Sequence, residues 1–194
     1  ILKSPEAVKA ALIGFPTVED AGNCVAEIIA QGCIPAGMEI MDKALTKATN
    51  DYSKAGYPPD AEGMMIVEFD GTEHAVDAYM QKAKSIAEKN NSSSLKISRS
   101  NEERLKFWAG RKAAFPACGV LAPDYMCMDG SIPRGKLAEV LNEISRLSKQ
   151  YGLPVANAFH AGDGNLHPLI MFDANDPESL KKCEEFGADI LKYC

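Results

Sequence analysis

The sequence predicts an α+β fold in which helices cover an antiparallel sheet of ferredoxin-like type. Short apolar segments typical of strands alternate with amphipathic segments of helical period along the chain. The sequence contains no glycine-rich fingerprint of the kind that opens a dinucleotide-binding Rossmann domain. A length of 194 residues suits one domain with a sizeable core.

The first half of the chain contains four predicted strands separated by helical segments. Thr17 is a typical N-cap for the first helix, because Asp20 stands at the capping-box position and Gly32 follows the helix end. Thr72 caps a later helix whose apolar residues recur at helical spacing. The predicted strands are 10–15, 35–41, 64–69 and 94–98, and the predicted helices are 18–31, a stretch from Lys43 and the segment after Thr72.

The second half continues the alternation of helices and strands. An amphipathic helix ends before Gly152 and Pro154, two residue types that terminate helices. Two strands then flank a turn that contains two glycines. The predicted segments are helix 102–114, extended chain 125–132, helix 137–151, strands 155–159 and 166–172, and a final helix from Pro177 toward Cys194.

The composition limits the possible partners and surroundings of the protein. A net charge of -6 argues against a nucleic-acid surface, which would need clustered Lys and Arg. No apolar run approaches the ~20 residues of a membrane span, and no signal-like segment opens the chain, so we expect a cytoplasmic location. The six cysteines form no CxxC pair, and we expect Cys24 and Cys127 to be reduced core residues.

The segment His160-Ala-Gly-Asp-Gly-Asn-Leu-His167 concentrates groups that suit a metal ion and a small polar ligand. It holds two of the three histidines, with Asp163 and Asn165 between them. Residues seven apart in an unbroken strand point to opposite faces, but the two glycines allow a turn that re-aims the strand. Two imidazoles and a carboxylate can hold a divalent ion with positions open for substrate oxygens. The alternative is an ordinary hairpin turn between two ordinary histidines.

Three stretches carry a family resemblance. They are Phe-Trp-Ala-Gly-Arg-Lys at 107–112, Asp-Tyr-Met-Cys-Met-Asp-Gly-Ser-Ile-Pro-Arg at 124–134, and the segment 155–168, with support from 11–16 and 37–42. On these stretches the chain resembles the carboxy-terminal cap domain of FAD-linked oxidases with the vanillyl-alcohol-oxidase type of flavin domain, and within them the catalytic (D) subunits of glycolate oxidases. The resemblance implies that residues 1–194 form a substrate-binding cap domain. An FAD-binding domain would precede it, and a Gly-Glu-His-Gly segment would follow it.

The resemblance also implies roles for five residues. His160 and His167 match the imidazoles that hold a divalent metal, which could be Zn, Mn or Fe. Arg111 matches the arginine that grips the substrate carboxylate, a task that suits the guanidinium fork. Asn165 is expected to contact substrate, and Asp163 is expected to shape the loop that faces the flavin.

The implied activity is FAD-dependent oxidation of a 2-hydroxy acid, glycolate or D-lactate, to the 2-oxo acid. Companion subunits that accept electrons are expected, whereas nucleic-acid partners and a transmembrane segment are not. Some relatives have a Thr and a Lys where this chain has Phe115 and, if the Ile-Pro pairs are aligned, Cys127, so a simpler or different carboxylate grip is expected. The alternative is a free-standing ferredoxin-like module that binds a metal or small carboxylate for regulation and catalyses nothing.

Four side chains near the motifs also have ordinary structural interpretations. Before the resemblance is considered, Arg111 could be a solvated helix residue, and Trp108 is typical of a core residue. Asp129 suits a turn at a strand end as well as it suits the role of a partner for a base or ligand. Glu39 is expected to be a carboxylate on an edge strand, and the alternative is a place on the flavin-facing surface.

Overall fold

The computed structural model describes residues 4–194, which form an eight-stranded sheet with helices on both faces. The strand pairs are antiparallel. The strands are β1 Ala7–Phe15, β2 Gly37–Asp42, β3 Gly63–Gly71, β4 Ser94–Ile97, β5 Asp124–Cys127, β6 Gly130–Ser131, β7 Val155–His160 and β8 Asn165–Phe172. The helices are α1 Val18–Ala30, α2 Lys43–Ser53, α3 Glu73–Lys89, α4 Asn101–Lys112, α5 Ala114–Ala117, α6 Leu137–Tyr151 and α7 Pro177–Tyr193.

The strand order is β4-β1-β3-β2-β7-β8-β5, and β6 pairs with β8. In the first half, β3 lies between β1 and β2, and β4 pairs with the other side of β1, which is the ferredoxin-like arrangement. The second half repeats the split pattern, because β8 lies between β5 and β7. The halves form one sheet because β2 pairs with β7, at Ile40–Phe159 and Met41–Ala158. The predicted α+β fold with an antiparallel sheet is therefore confirmed.

Two apolar cores lie on opposite faces of the sheet. Helices α1, α3, α6 and α7 cover one face, and α2, α4 and α5 cover the other. Alternation along each strand divides the side chains between the cores, so Ile40 joins the first core and Met41 the second. Phe15, Phe69 and Phe159 are fully buried in the first core, and each contributes about 1.5–3 kcal/mol by its burial.

The structure differs from the prediction in several places. Strand β1 begins at Ala7 rather than at residue 10. The extended segment 125–132 is divided into β5 and β6, although Met128 between them still donates its backbone N–H to Pro168 O, 2.9 Å away. Cys127 is exposed, so its predicted burial is wrong, because it lies at the end of the edge strand β5; Cys24 is buried as expected. Among residues 4–194, no helix has the length and apolarity needed to span a bilayer.

Candidate functional site

The β7–β8 hairpin places three polar side chains on one face of the sheet. His160 pairs directly with Asn165, so these two residues share a face, and His167 is two residues further along the same face of β8. The backbone N–H groups of Asp163 and Gly164 both donate to His160 O, at 3.0 and 3.1 Å, and close the turn. This turn, rather than a bend within a continuous strand, brings the two histidines to the same face.

Gly164 is required by the geometry of this turn. Its φ of +75° lies in the left-handed region, which disfavours residues with a Cβ. A Cβ atom at this position would also lie 2.2 Å from Ile132 O. The close approach allows the N–H of Ile132 to donate to Gly164 O at 2.9 Å, which ties the hairpin to the segment after β6.

The two imidazole rings lie edge to face. The centroids of His160 and His167 are 5.0 Å apart, with an interplanar angle of 89°. Burial, followed by the neighbouring His160, lowers the pKa of His167 below its usual value and favours the neutral ring. A neutral imidazole is the form that binds metals.

Glu39 lies at the centre of the polar cluster. It is buried, and its Oε1 is 2.7 Å from Nδ1 of His160. Its Oε2 accepts from Nε of Arg111 at 3.1 Å, and Nη2 of the same guanidinium lies 3.0 Å from this oxygen. Strand β2 lies between β3 and β7, so the expectation of an edge-strand carboxylate is wrong. A clue was present in the sequence, since Glu39 interrupts an otherwise apolar run, Gly-Met-Glu-Ile-Met.

Helix α4 holds Arg111 against the sheet, where the side chain is buried. The helix is fixed by Tyr57, whose hydroxyl donates to Phe107 O. Burial raises the pKa of the Tyr57 hydroxyl, which keeps it protonated as a donor. Gly110 permits this approach, because a Cβ there would lie 2.3 Å from the Tyr57 oxygen. The interpretation of Arg111 as a solvated helix residue is therefore wrong.

Asn165 connects the histidine pair to Asp129. Its Nδ2 donates to Asp129 Oδ1 at 2.9 Å, and the same carboxylate oxygen lies 4.0 Å from His167 Nδ1. Within the described residues, the buried Oδ1 of Asn165 has no hydrogen-bond partner. The Phe115 ring lies 6.5 Å from the His167 ring and closes this side of the cluster. A buried acceptor without a partner among residues 4–194 therefore lies next to the histidines.

A cleft of about 340 Å³ opens beside the polar cluster. Glu39, His160, Asp163 and Arg134 supply its polar lining. The remaining wall is mainly apolar and comes from the segment that leads into β2, where Ile34 is 67% exposed. Asp163 is exposed and lines this cleft, while its flavin-facing role stays a prediction.

A second carboxylate on the same face of the sheet supports α4. Glu68 on β3 accepts from Arg104 at 2.9 Å and from Trp108 Nε1 at 2.5 Å. The half-buried Trp108 ring packs over Gly37 at the start of β2. This arrangement repeats the pairing of Glu39 with Arg111 one strand away, but it contains no histidine.

The donor set for a metal ion is incomplete within residues 4–194. This part of the chain contains no group of three or more His, Cys, Asp and Glu side chains arranged to hold a metal. Two imidazoles that share an ion at ~2.0–2.1 Å would have centroids roughly 5–6 Å apart, and the separation of His160 and His167 is 5.0 Å. The pair therefore fits part of a coordination sphere that needs further ligands.

Solved structures identify the class of fold. The chain superimposes on 4-ethylphenol oxidase from Gulosibacter chungangensis with a TM-score of 0.69 and 12% identity, covering 99% of this chain and 44% of that one. A p-cresol methylhydroxylase structure gives a TM-score of 0.69 and 12% identity, covering 97% and 43%. The fold is therefore that of the matching domain in flavoenzymes of the vanillyl-alcohol-oxidase type.

Sequence comparison then defines the family. Residues 4–194 match the family model "FAD linked oxidases, C-terminal domain", and the chain belongs to this family. It is 48% identical over 194 residues to glycolate oxidase subunit GlcD of Escherichia coli strain K12, and 30% identical over 187 residues to mitochondrial D-lactate dehydrogenase [cytochrome] of Arabidopsis thaliana. These matches cover 100% and 95% of this chain, but only 39% and 33% of the two relatives.

Proposed function

We propose that this chain is the substrate-binding part of an FAD-dependent oxidoreductase that oxidises a 2-hydroxy acid, glycolate or D-lactate, to the 2-oxo acid. The family membership and the names of the relatives support this proposal. Because the chain spans 39% of the length of its glycolate oxidase relative, we also propose that the flavin-binding domain belongs to a longer polypeptide.

One observation carries the assignment of the site. The guanidinium of Arg111 and the imidazole of His160 both contact Glu39, and the His167 ring lies 5.0 Å from the His160 ring. A 2-hydroxy acid carries a carboxylate and a neighbouring hydroxyl, which need a cationic fork and a nearby polar group respectively. Arg111 binds the carboxylate, and Asn165, which pairs with His160, contacts the substrate next to the histidines.

His160 and His167 would hold a divalent ion, Zn, Mn or Fe, together with ligands from outside the described residues. Such an ion would lower the pKa of the substrate hydroxyl. Bound FAD would take up the hydride from the α-carbon. The part played by this chain is to fix the α-carbon between Arg111 and the histidines.

Phe115 and Cys127 affect how the substrate carboxylate is bound, because neither side chain adds a positive charge beside Arg111. Phe115 packs against the His167 ring, and Cys127 carries a thiol, so neither side chain can supply a cation for the carboxylate. Arg111 is therefore the principal cation for the substrate carboxylate in this site. We propose companion electron-accepting subunits, because the relative is named as a subunit of glycolate oxidase. We also propose a cytoplasmic location.

Replacement of the histidines tests the proposed function. In the complete polypeptide that carries this chain, His160→Ala and His167→Ala should each lower glycolate or D-lactate turnover by at least about 100-fold and reduce the bound metal, since each removes a ligand. Steady-state kinetics and elemental analysis measure both effects. The control is His74→Ala, which removes an exposed histidine from the first turn of α3. Full turnover in both site variants would overturn the assignment.

A further inference from the structure

We infer that Glu39 is a positioning residue that fixes both the tautomer of His160 and the direction of the Arg111 guanidinium. The inference rests on the proposed function, because it assigns a task to a residue beside the proposed metal and substrate ligands. Glu39 contacts both neighbours through different oxygen atoms, Oε1 for His160 and Oε2 for Arg111. One carboxylate thus sets the geometry of His160, which would bind the metal ion, and of Arg111, which would bind the substrate carboxylate.

The contact with Glu39 determines which nitrogen of His160 carries the proton. An ionised carboxylate can only accept hydrogen bonds, so Nδ1 of His160, 2.7 Å from Oε1, must be the donor. In the neutral ring the lone pair then lies on Nε2. That nitrogen is available to a metal ion because the His160 side chain is 45% exposed. A carboxylate that holds the distal nitrogen of a metal-binding imidazole is a recurrent supporting contact.

The same carboxylate occupies one edge of the Arg111 guanidinium. Nε donates to Oε2 of Glu39, and Nη2 lies 3.0 Å from the same oxygen. The Arg111 side chain forms no ion pair with another described residue. The Nη1 edge is therefore left to receive a substrate carboxylate. Since Arg111 and Glu39 are both buried, neither can turn away without leaving an unpaired charge.

Replacement of Glu39 by Gln gives a distinctive expected result. The carboxamide has one accepting oxygen and one donating NH₂ group, so it cannot accept from both neighbours. The Arg111 guanidinium can only donate, so it binds the amide oxygen of the substituted side chain. The NH₂ group of that side chain then points toward His160. Nδ1 of His160 must then accept, and the proton moves to Nε2. The variant therefore carries the wrong tautomer for a metal ligand while keeping nearly the same shape.

Histidine NMR of the complete polypeptide tests the inference without metal or substrate. Ring ¹⁵N and ¹³C shifts are recorded at pH 8.5 on the metal-free protein, with the His160 signals identified from a His160→Gln variant. The wild-type ring should show the Nδ1–H form, and Glu39→Gln should shift it to Nε2–H. Titration with Zn²⁺ alone should then show about a 10–100-fold weaker Kd in the variant.

Glu68→Gln is the matched control. Glu68 lies on the same face of the sheet and binds an arginine of α4, but it does not contact His160. This variant should leave the His160 tautomer and the Zn²⁺ affinity unchanged. An Nε2–H ring in the wild type, or identical His160 signals in Glu39→Gln, would overturn the inference. The tautomer of His160 in the wild type tests the inference even if the Glu39→Gln variant does not fold. This measurement does not depend on turnover. Failure of the proposed function would therefore be recognised separately, from the kinetics of the histidine variants.

Discussion

At the residue scale, the buried ion pair of the site is neutral before any ligand is present. Arg111 and Glu39 neutralise each other, and the lowered pKa of His167 favours its neutral ring. A divalent cation would bring two positive charges, and a 2-hydroxy acid that loses its hydroxyl proton would bring two negative ones. A buried site tolerates the pair far better than either partner alone. Metal and substrate should therefore support each other's binding at this cluster.

The position of Gly164 leads to a prediction about stability. Gly164→Ala should destabilise the fold by at least about 2 kcal/mol, because the residue has a φ of +75° and its Cβ would meet Ile132 O at 2.2 Å. The backbone must shift to accept this atom, which also moves the hairpin that carries His160. Urea unfolding followed by circular dichroism measures the change.

Gly135→Ala provides the control for the hairpin glycine. A Cβ at Gly135 meets no atom within 4 Å, so this variant should differ from the wild type by less than about 0.5 kcal/mol. Equal unfolding midpoints for the two alanine variants would show that the tight contact at Gly164 is absent in solution.

At the element scale, helix periodicity and capping residues were sufficient to predict most helices. Thr17 and Thr72 cap α1 and α3 through their side-chain oxygens, as predicted. The pattern could not show that Glu39 would be buried, since the identity of its neighbours depends on β2 pairing with β7, more than a hundred residues away in sequence. The ion pair with Arg111 is likewise a product of tertiary packing rather than of local sequence.

The cap of helix α2 predicts a pH effect on stability. Asp42 accepts from Leu45 N at 2.9 Å and from the backbone and side chain of Asn157, both at 2.8 Å. Burial nevertheless raises the pKa of its carboxyl group to about 6. The folded state therefore binds this proton more tightly than the unfolded state, so stability from this group is present below about pH 4 and is lost as the pH rises through 6.

Asp42→Asn separates this effect from other titrations. The free energy of unfolding of the wild type, relative to that of the variant, should fall by up to about 2 kcal/mol between pH 4 and pH 6. Above pH 7 the difference should stay constant. Chemical unfolding at a series of pH values gives the comparison, and a difference that rises with pH would contradict the raised pKa.

At the scale of the whole molecule, the sequence was enough to predict the fold class and the location of the histidine pair. The extension of the ferredoxin-like half by β7, β8 and β5 was not predicted, because strand periodicity identifies a strand without its neighbours. The cleft is formed by this extension, since β2 from one half and the end of β7 from the other supply Glu39 and His160. The site therefore depends on the pairing of β2 with β7, which connects the two halves of the sheet.

The shape and charge of this cleft predict that residues 1–194 alone do not retain FAD. A cleft of about 340 Å³ is near the lower limit for small-molecule sites, which span ~300–1,000 Å³, and a dinucleotide is a large ligand. Arg134 and Asp163 in its lining bring opposite charges, which leaves little net attraction for a diphosphate.

The chain and the complete polypeptide should be purified in parallel, with a cooperative thermal transition confirming that each is folded. We expect visible flavin absorbance only in the complete polypeptide, because its flavin domain would supply the phosphate contacts and this chain only the wall over the ring system. Stoichiometric flavin in the isolated chain would mean that residues 1–194 contain a dinucleotide site of their own. The proposal that a separate domain binds FAD and this chain binds substrate would then be wrong, even if His160 and His167 still proved necessary for turnover.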